Sequence, residues 1–433
     1  MLTLSENRRY FLRDGKPFFW LGDTAWLLFQ KLTFDEAMVY LKNRAAKGFT
    51  VIQATLVHKP DFRNRAGSPA LINDDFAHPN PDESPEAYWP MVRRIVDEAA
   101  KMGVVMALLP SWGSFVSTGK LAGGAVDVYV DFLAQRFGDC ENVIWLAGGD
   151  VRGSDALEDF NRIGSRLREK CPNQLIGFHP FGRCSSSQWF QDAPWLDFHL
   201  FQSGHRRYDQ IKLNQWDDKV DAETYVGEDS YRYVQHDRAL TPVRPVLDGE
   251  PSYEFILQGL HDPTQPYWQT RDVRRYAYWS LLAGAAGFTY GSNAIMQFWQ
   301  GVEPGAFGVF ETWQEALHNP GSMQMTHARR LMEEMLWQSG HPAQELLPEN
   351  TGKQYEYNLA LKTDRALIVY TYTGKPFCVN TRCLGETDAW WFDPVSGGKS
   401  YLGKIPAQER ARFTPPDRRC DQNDWVLILE RAQ

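Results

Sequence analysis

Residues 142–150 read Asn-Val-Ile-Trp-Leu-Ala-Gly-Gly-Asp, an apolar run typical of a buried strand that ends in two glycines and a carboxylate. A second run of this kind, Arg-Pro-Val-Leu-Asp-Gly-Glu, occupies residues 244–250. In parallel α/β folds, polar residues that follow buried strands lie at the edge where substrates bind. The two runs therefore predict one site, assembled from two strands of a single scaffold and containing Asp150 and Glu250.

Strand-like runs alternate with helix patterns from about residue 18 to residue 340, as expected for parallel βα units. The predicted strands are Phe18–Leu21, Thr50–Leu56, Val104–Leu109, Val143–Leu146, Leu175–Phe178, Phe198–Phe201, Val243–Leu247 and Gly287–Tyr290. Eight strands in a segment of this length predict a (β/α)8 TIM barrel. A doubly wound sheet is the alternative, but no Gly-x-Gly-x-x-Gly motif follows the first strand.

Start and stop signals predict helices between these strands. The capping box Thr33-Phe-Asp-Glu36 should open a helix that ends near Gly48. The pair Ser84-Pro85 predicts the start of a helix that reaches about Met102. Further helices are predicted over residues 124–137, 154–171, 223–237, 271–284 and 321–338.

The last ninety or so residues have a different, β-rich pattern. Their predicted strands are Tyr355–Leu361, Ala366–Tyr372, Ala389–Phe392 and Trp425–Leu429. Turn residues between them indicate a small C-terminal antiparallel β-sandwich, which could pack on the barrel or act as a binding module. The predicted domains are residues 1–342, a catalytic barrel preceded by an N-terminal hairpin, and residues 343–433, the β-sandwich.

Composition excludes several classes of partner. A formal net charge of −8 supplies no basic surface, so no nucleic acid is expected to bind. No apolar run reaches 18 residues, so no membrane contact is predicted. The six cysteines have no metal-binding spacing, and we predict no metal, no cofactor and no disulfide framework. The N-terminus has no apolar signal core, which predicts a cytoplasmic protein if Met1 is the native start and a periplasmic or secreted one if a signal peptide was removed.

Side chains suited to binding a polyhydroxylated ligand follow the predicted strands. Those after the strands, besides the two carboxylates, are Asp23, Trp26, His58, Trp112, His179, Gln202, His205, Asn293 and Trp299. Carboxylates, imidazoles and amides hydrogen-bond hydroxyl groups, and indoles stack on sugar rings. Each residue also has a purely structural interpretation, because acids cap helices and both histidines and tryptophans are common in barrel walls.

Cleavage of a glycosidic bond typically uses two carboxyl groups on opposite sides of a pocket, one as the proton donor and the other as the nucleophile or base. We assign Asp150 as the acid/base and Glu250 as the nucleophile, and we expect burial and the second carboxylate to raise the pKa of Asp150. Asp248 and Glu254 flank Glu250 and are the alternative nucleophiles. Two other classes stay open: a metal-dependent hydrolase that uses strand-end histidines, and a carbohydrate-binding protein without activity.

Four motifs together resemble the apiosidase family, glycoside hydrolase family 140. They are Phe19-Trp-Leu-Gly-Asp-Thr-Ala-Trp26, Gly48-Phe-Thr-Val-Ile-Gln53, residues 142–150, and Leu247-Asp-Gly-Glu-Pro-Ser-Tyr253. The resemblance extends through the C-terminal segment Trp390-Trp-Phe-Asp-Pro394. These motifs also add Gln53 and Tyr253 to the residues expected to bind substrate.

The resemblance implies a barrel with a small β-domain and cleavage of terminal β-linked D-apiose, a branched furanose of pectic side chains and plant glycosides. It places the family's acid/base aspartate on Asp150 and its catalytic glutamate on Glu250. In retaining barrels the acid after the fourth strand is usually a Glu preceded by Asn, whereas here it is Asp150 preceded by Gly149. The shorter side chain changes the separation of the two carboxyl groups, so the sequence does not decide whether the enzyme retains or inverts the anomeric configuration. The alternative substrate class is another plant polysaccharide, cleaved by a β-glycosidase or endo-glucanase with an open cleft.

Overall fold

The computed structural model describes residues 1–59, 61–213, 227–348, 352–417 and 423–431. A small antiparallel sheet comes first, formed by β1 (Leu2–Leu4), β2 (Phe11–Arg13) and β3 (Lys16–Phe18). Eight strands then form one parallel sheet: β4 (Trp20–Thr24), β5 (Val51–Thr55), β6 (Val105–Leu109), β7 (Val143–Val151), β8 (Ile176–Pro180), β9 (His199–Phe201), β10 (Val246–Asp248) and β11 (Gly287–Tyr290).

This sheet curls into a nearly closed barrel. Its strands are ordered β8-β7-β6-β5-β4-β11-β10-β9, and the Asp197 amide donates to the Ile176 carbonyl at 2.8 Å between the two edge strands. The predicted TIM barrel is confirmed. In a ring of this order β7 lies diametrically opposite β11, whereas β11 and β4 are neighbours. Almost every strand residue is buried, as expected when helices cover a parallel sheet.

Helices surround the barrel. They are α1 (Leu28–Lys31), α2 (Phe34–Ala46), α3 (Tyr88–Lys101), α4 (Gly113–Ser117), α5 (Gly124–Phe137), α6 (Leu157–Lys170), α7 (Ser187–Phe190), α8 (Ser230–Arg238), α9 (Thr270–Leu282), α10 (Asn293–Gln297), α11 (Trp313–Ala316) and α12 (Pro320–Glu334). Short 3₁₀ turns lie at Ile72–Asp74, Gly153–Ala156, Trp337–Ser339, Gln344–Leu346 and Gln354–Glu356. None of the helices described is long and apolar enough to cross a membrane.

Several predicted boundaries were wrong for identifiable reasons. Helix α3 begins at Tyr88 rather than at Ser84-Pro85, because Ala87 is extended and the Tyr88 amide donates to the Ser68 hydroxyl at 3.1 Å. Strand β10 begins at Val246 rather than Val243, after Pro245, which has no amide hydrogen for a strand ladder. The predicted helix over 154–171 is a 3₁₀ turn followed by α6. Of the predicted helix 223–237, residues 223–226 lie outside the described residues, and α8 covers the rest from Ser230 onward.

The C-terminal part is an antiparallel β domain, as predicted. Its strands are β12 (His341–Pro342), β13 (Leu359–Lys362), β14 (Ala366–Thr371), β15 (Phe377–Val379), β16 (Thr387–Phe392), β17 (Lys399–Ile405), β18 (Ala411–Phe413) and β19 (Trp425–Arg431). Six form a sheet ordered β12-β13-β14-β19-β16-β17, and β15 pairs with β18. The strand predicted over Tyr355–Leu361 begins only at Leu359, because Gln354–Glu356 form a 3₁₀ turn with Gln354 in the left-handed region.

The six-stranded sheet packs on both of its faces. Val369 and Leu427 face the small β15–β18 ribbon, whereas the alternate residues Ile368 and Tyr370 join the core that the domain shares with the barrel. The ring of Tyr370 stacks on Tyr278 of α9, with ring centroids 4.8 Å apart. The domain is therefore a packing partner of the barrel.

Candidate active site

A cavity of about 420 Å³ lies at the C-terminal ends of the barrel strands, and both Asp150 and Glu250 line it. The other predicted substrate-binding residues in its wall are Trp26, His58, Trp112, Gln202, His205, Tyr253 and Trp299. The two carboxyl groups belong to different strand ends, β7 and the residues just after β10. The structure thus gathers most of the predicted residues around one cavity.

Glu250 is almost completely buried and contacts two imidazole rings. His205 Nε2 lies 3.0 Å from Glu250 Oε1, and His179 Nε2 lies 3.2 Å from Oε2. Burial by itself raises the pKa of a carboxyl group, but the two imidazoles outweigh it and hold the pKa of Glu250 well below its ordinary value. Glu250 is therefore ionised at neutral pH, as a nucleophile must be.

His179 has a second contact on its other ring nitrogen. The backbone amide of Asp150 donates to its Nδ1 at 3.5 Å. His179 itself is completely buried and lies beneath the cavity wall. His179 therefore contacts both the backbone of Asp150 and the side chain of Glu250.

A bulge at the end of β7 sets the position of Asp150. Gly148, Gly149 and Asp150 all have positive φ angles, 91°, 116° and 51°, and the register with β8 shifts between Gly148 and Val151. A Cβ on Gly148 would lie 2.4 Å from the His179 carbonyl oxygen, and one on Gly149 would lie 2.9 Å from the Gly113 nitrogen. Only glycine fits these positions, so the double glycine is required for the turn that carries Asp150.

Aromatic rings form one wall of the cavity. Trp26 meets Trp112 edge to face at 5.4 Å, and its Nε1 donates to the Tyr253 hydroxyl at 3.2 Å. His58 packs on Trp112 with ring centroids 4.6 Å apart. Burial and the neighbouring Lys59 lower the pKa of His58 to about 4, so this imidazole is neutral at physiological pH. The wall thus presents apolar faces and a neutral histidine to the cavity.

Four predicted residues do not line the cavity. Asp23 is completely buried, and its Oδ2 accepts from the Tyr40 hydroxyl at 2.6 Å and from Arg44 Nε at 2.5 Å. Gln53 donates to the Gly249 carbonyl at 2.9 Å and so supports the backbone next to Glu250. Asn293 donates to the Phe255 and Phe307 carbonyls at 3.2 and 3.0 Å. With His179, these residues lie behind the cavity wall.

The alternative nucleophiles lie in different surroundings from Glu250. Burial raises the pKa of Asp248 to about 8, although the Ser203 hydroxyl donates to it at 2.6 Å. Glu254 is completely buried against Thr270, Tyr290 and the Gly321 amide, and burial raises its pKa as well. Neither carboxyl group lines the cavity. This arrangement favours Glu250.

Some wall residues were missed because they lie beyond the first positions after each strand. They include Lys31, Phe181, Arg183, His261, Glu303 and Phe307. Arg183 follows β8 by only three residues and could have been found by reading further into that loop. Glu303 and Phe307 lie 13 and 17 residues past β11, which ends at Tyr290, and no local signal marks them as wall residues.

Residues 5–339 match the profile of a protein family described as "Apiosidase-like, catalytic domain". The chain belongs to this family. Residues 341–430 match a second profile, described as "Putative collagen-binding domain of a collagenase". The resemblance drawn from the four motifs is thereby confirmed.

Solved structures of glycoside hydrolases agree with this assignment. A protein described as a glycoside hydrolase is 36% identical, with a TM-score of 0.94 over 100% of this chain and 97% of its own. A glycoside hydrolase family 5 protein from Bacteroides vulgatus is 35% identical, with a TM-score of 0.93 over 99% of this chain and 93% of its own. A comparison with curated proteins gives no significant match. The protein is an apiosidase-like glycoside hydrolase that acts on a carbohydrate.

Proposed function

We propose that this enzyme is an exo-acting apiosidase that releases terminal β-linked D-apiose from pectic side chains or plant apiosides. Membership of the apiosidase-like family supports the substrate, and the pairing of Asp150 with an ionised Glu250 on one cavity supports the chemistry. The observation that carries the proposal is the buried Glu250 carboxylate held between His179 and His205.

In the proposed reaction, Asp150 donates a proton to the leaving glycosidic oxygen while Glu250 attacks the anomeric carbon. The glycosyl–enzyme ester is then hydrolysed by a water molecule that Asp150 deprotonates, so the configuration is retained. His179 and His205 stabilise the charge of Glu250 before the attack and as it returns. Because the two imidazoles contact different oxygens, they also orient the carboxylate in the cavity.

The shape of the site supports exo action. The cavity is a single pocket lined by residues at or after the ends of all eight barrel strands. An endo-acting enzyme needs a groove that is open at both ends for a continuing chain. A small furanose suits a cavity of about 420 Å³ better than several pyranose subsites do.

A substrate screen tests the proposed specificity. We expect the wild-type enzyme to release apiose from apiose-bearing glycosides and from pectic oligosaccharides, with little turnover of aryl β-glucosides or β-glucans. The products can be identified by chromatography with pulsed amperometric detection. Turnover of glucan without release of apiose would refute the apiosidase assignment and leave only the glycoside hydrolase class.

Substitution of the carboxylates tests their roles. We expect Glu250→Gln to lower kcat by about a thousandfold or more on every substrate. Asp150→Asn should impair glycosides of poor leaving groups much more than 2,4-dinitrophenyl glycosides, which need no proton. Thermal melting of both variants controls for folding. Wild-type rates in either variant would end the proposal for that residue.

A further inference from the structure

A compact segment after α10 forms one side of the cavity. We call residues 297–308 the strap; Trp299, Pro304 and Phe307 on it line the cavity, and Val302 at its tip is 90% exposed. Gln297 ties its two ends together, since its Nε2 donates to the Ala306 carbonyl at 3.1 Å and its Oε1 accepts from the Ala306 amide at 2.8 Å. The strap is therefore a preformed wall.

One ion pair fastens the strap to the neighbouring segment of the cavity rim. Lys31 Nζ, at the end of α1, lies 2.6 Å from Glu303 Oε1, and both residues line the cavity. Trp299 Nε1 donates to the Glu303 carbonyl at 2.6 Å, so the same residue is held from the strap's own side. The side chains of Lys31 and Glu303 are 27% and 34% exposed, which leaves the pair partly shielded from water. The link closes the gap between the segments that follow β4 and β11.

The position of this link relative to Asp150 determines what it can exclude. The strap follows β11 and Lys31 follows β4, two neighbouring strands on the side of the barrel away from β7. The leaving oxygen must lie next to the acid on β7, so the leaving group extends toward that side. The strap and its ion pair consequently face the part of the bound sugar that points away from the bond being cleaved.

We propose that the Lys31–Glu303 pair determines exo specificity by closing the cavity behind the glycone. A terminal sugar fits against the strap, whereas a sugar that carries a further residue on its own hydroxyl groups would need the space that the strap occupies. This inference rests on the proposed hydrolysis of a glycoside with Asp150 as the acid. It adds Lys31 and Glu303 as specificity-determining residues.

The test compares two 4-nitrophenyl glycosides, one of the bare glycone and one whose glycone carries an additional sugar. Both are built on the glycone that the wild type cleaves fastest, so a failure of the apiose assignment leaves this test intact. The readout is the ratio of kcat/KM for the bare substrate to that for the extended substrate. We expect Lys31→Met and Glu303→Gln each to reduce this ratio by about tenfold.

Glu98→Gln is the matched control, because Glu98 pairs with Lys101 at the same 2.6 Å distance on α3, away from the cavity. It should keep the wild-type ratio. The charge-exchanged double variant Lys31→Glu/Glu303→Lys should restore the ratio that the single variants lose, which separates loss of the pair from misfolding.

Ionic strength provides a readout on the unmodified enzyme. Because the pair is partly exposed, high salt should lower the ratio of the wild type and leave that of Lys31→Met unchanged. The inference is overturned if both single variants and the salt series keep the wild-type ratio, or if Glu98→Gln lowers it equally.

Discussion

Glu250 shows how two imidazole rings can offset the effect of burial on the pKa of a carboxyl group. Asp248, two residues earlier and equally buried, has a hydroxyl partner in place of the imidazoles, and its pKa rises to about 8. The difference arises from the side chains that meet each carboxylate. It divides the two acids into an ionised group in the cavity and a protonated group behind it at neutral pH.

The imidazole contacts predict how activity depends on pH. Glu250 must be ionised to act, so activity is lost as pH falls through its pKa, and the lowered pKa places this limb at low pH. His205→Phe keeps the ring packing on Tyr253 but removes the hydrogen bond to Glu250. We expect the acidic limb of kcat/KM to move upward by about one pH unit. A limb at the wild-type position would contradict the role given to His205.

The glycines before Asp150 predict a second effect. Gly149→Ala places a Cβ against the Gly113 nitrogen in a backbone region that L-residues rarely adopt, so the bulge must shift. We expect kcat to fall by about a hundredfold, since small displacements of a catalytic group are costly. Gly119→Ala is the control: its φ is also positive, but no atom lies near its added Cβ. Equal losses of activity in both variants would show that the bulge does not position Asp150.

At this scale the sequence predicted part of the site. Reading the positions after each strand found Asp150, Glu250 and six other residues that line the cavity. The same rule selected Asp23, which instead pairs with Arg44 from α2 inside the barrel wall. Tertiary packing decides which side chain of another element contacts Asp23, and the spacing of residues in the sequence does not predict that contact.

Among the elements, local signals predicted helix starts best where a complete capping box was present. Thr33 and Glu36 form both expected hydrogen bonds at the start of α2. Ser84-Pro85 had only half of such a signal, and α3 begins later, where Ser68 supplies the hydrogen bond. The strap was not predictable from the sequence, because the contacts that fix its position come from Lys31 of α1 and Gln297 of α10.

The capping box provides a prediction at the scale of one helix. Thr33→Ala removes the acceptor for the Glu36 amide, so we expect the free energy of unfolding to fall by about 1 kcal/mol with kcat unchanged. Thr33→Ser retains the acceptor and should remain near the wild type. Chemical denaturation measures the difference. If Thr33→Ala has the same free energy of unfolding as the wild type, water replaces the hydrogen bond of the cap at no cost in stability.

In the whole molecule, the barrel and the C-terminal sheet are joined by buried charge as well as by apolar packing. Arg274 of α9 binds Asp424 through two contacts of 2.7 Å, and both side chains are buried. The sequence left open whether this domain packs on the barrel or binds a ligand. A polar and apolar alternation along β14 and β19 would have marked one face of the sheet as exposed. Both faces are apolar and covered, so the sequence pattern could not show which role the domain has.

Loss of this ion pair should weaken the whole chain. Asp424→Asn leaves the Arg274 charge buried with a weaker partner, and we expect the free energy of unfolding to fall by about 3 kcal/mol in a single transition. Glu409→Gln breaks an exposed pair with Arg382 in the same domain and should change stability little. If Asp424→Asn unfolds the C-terminal domain while the barrel stays folded, the two parts are independent.

The central claim is that Glu250 attacks the sugar while Asp150 serves as the acid. Intact-protein and peptide mass spectrometry after incubation with a 2-deoxy-2-fluoro apioside bearing a good leaving group tests it most directly. We predict one glycosyl adduct per chain, attached to Glu250, and none in Glu250→Gln. Hydrolysis of apiosides with inversion and no adduct, or an adduct on another carboxylate such as Glu254, would contradict the account.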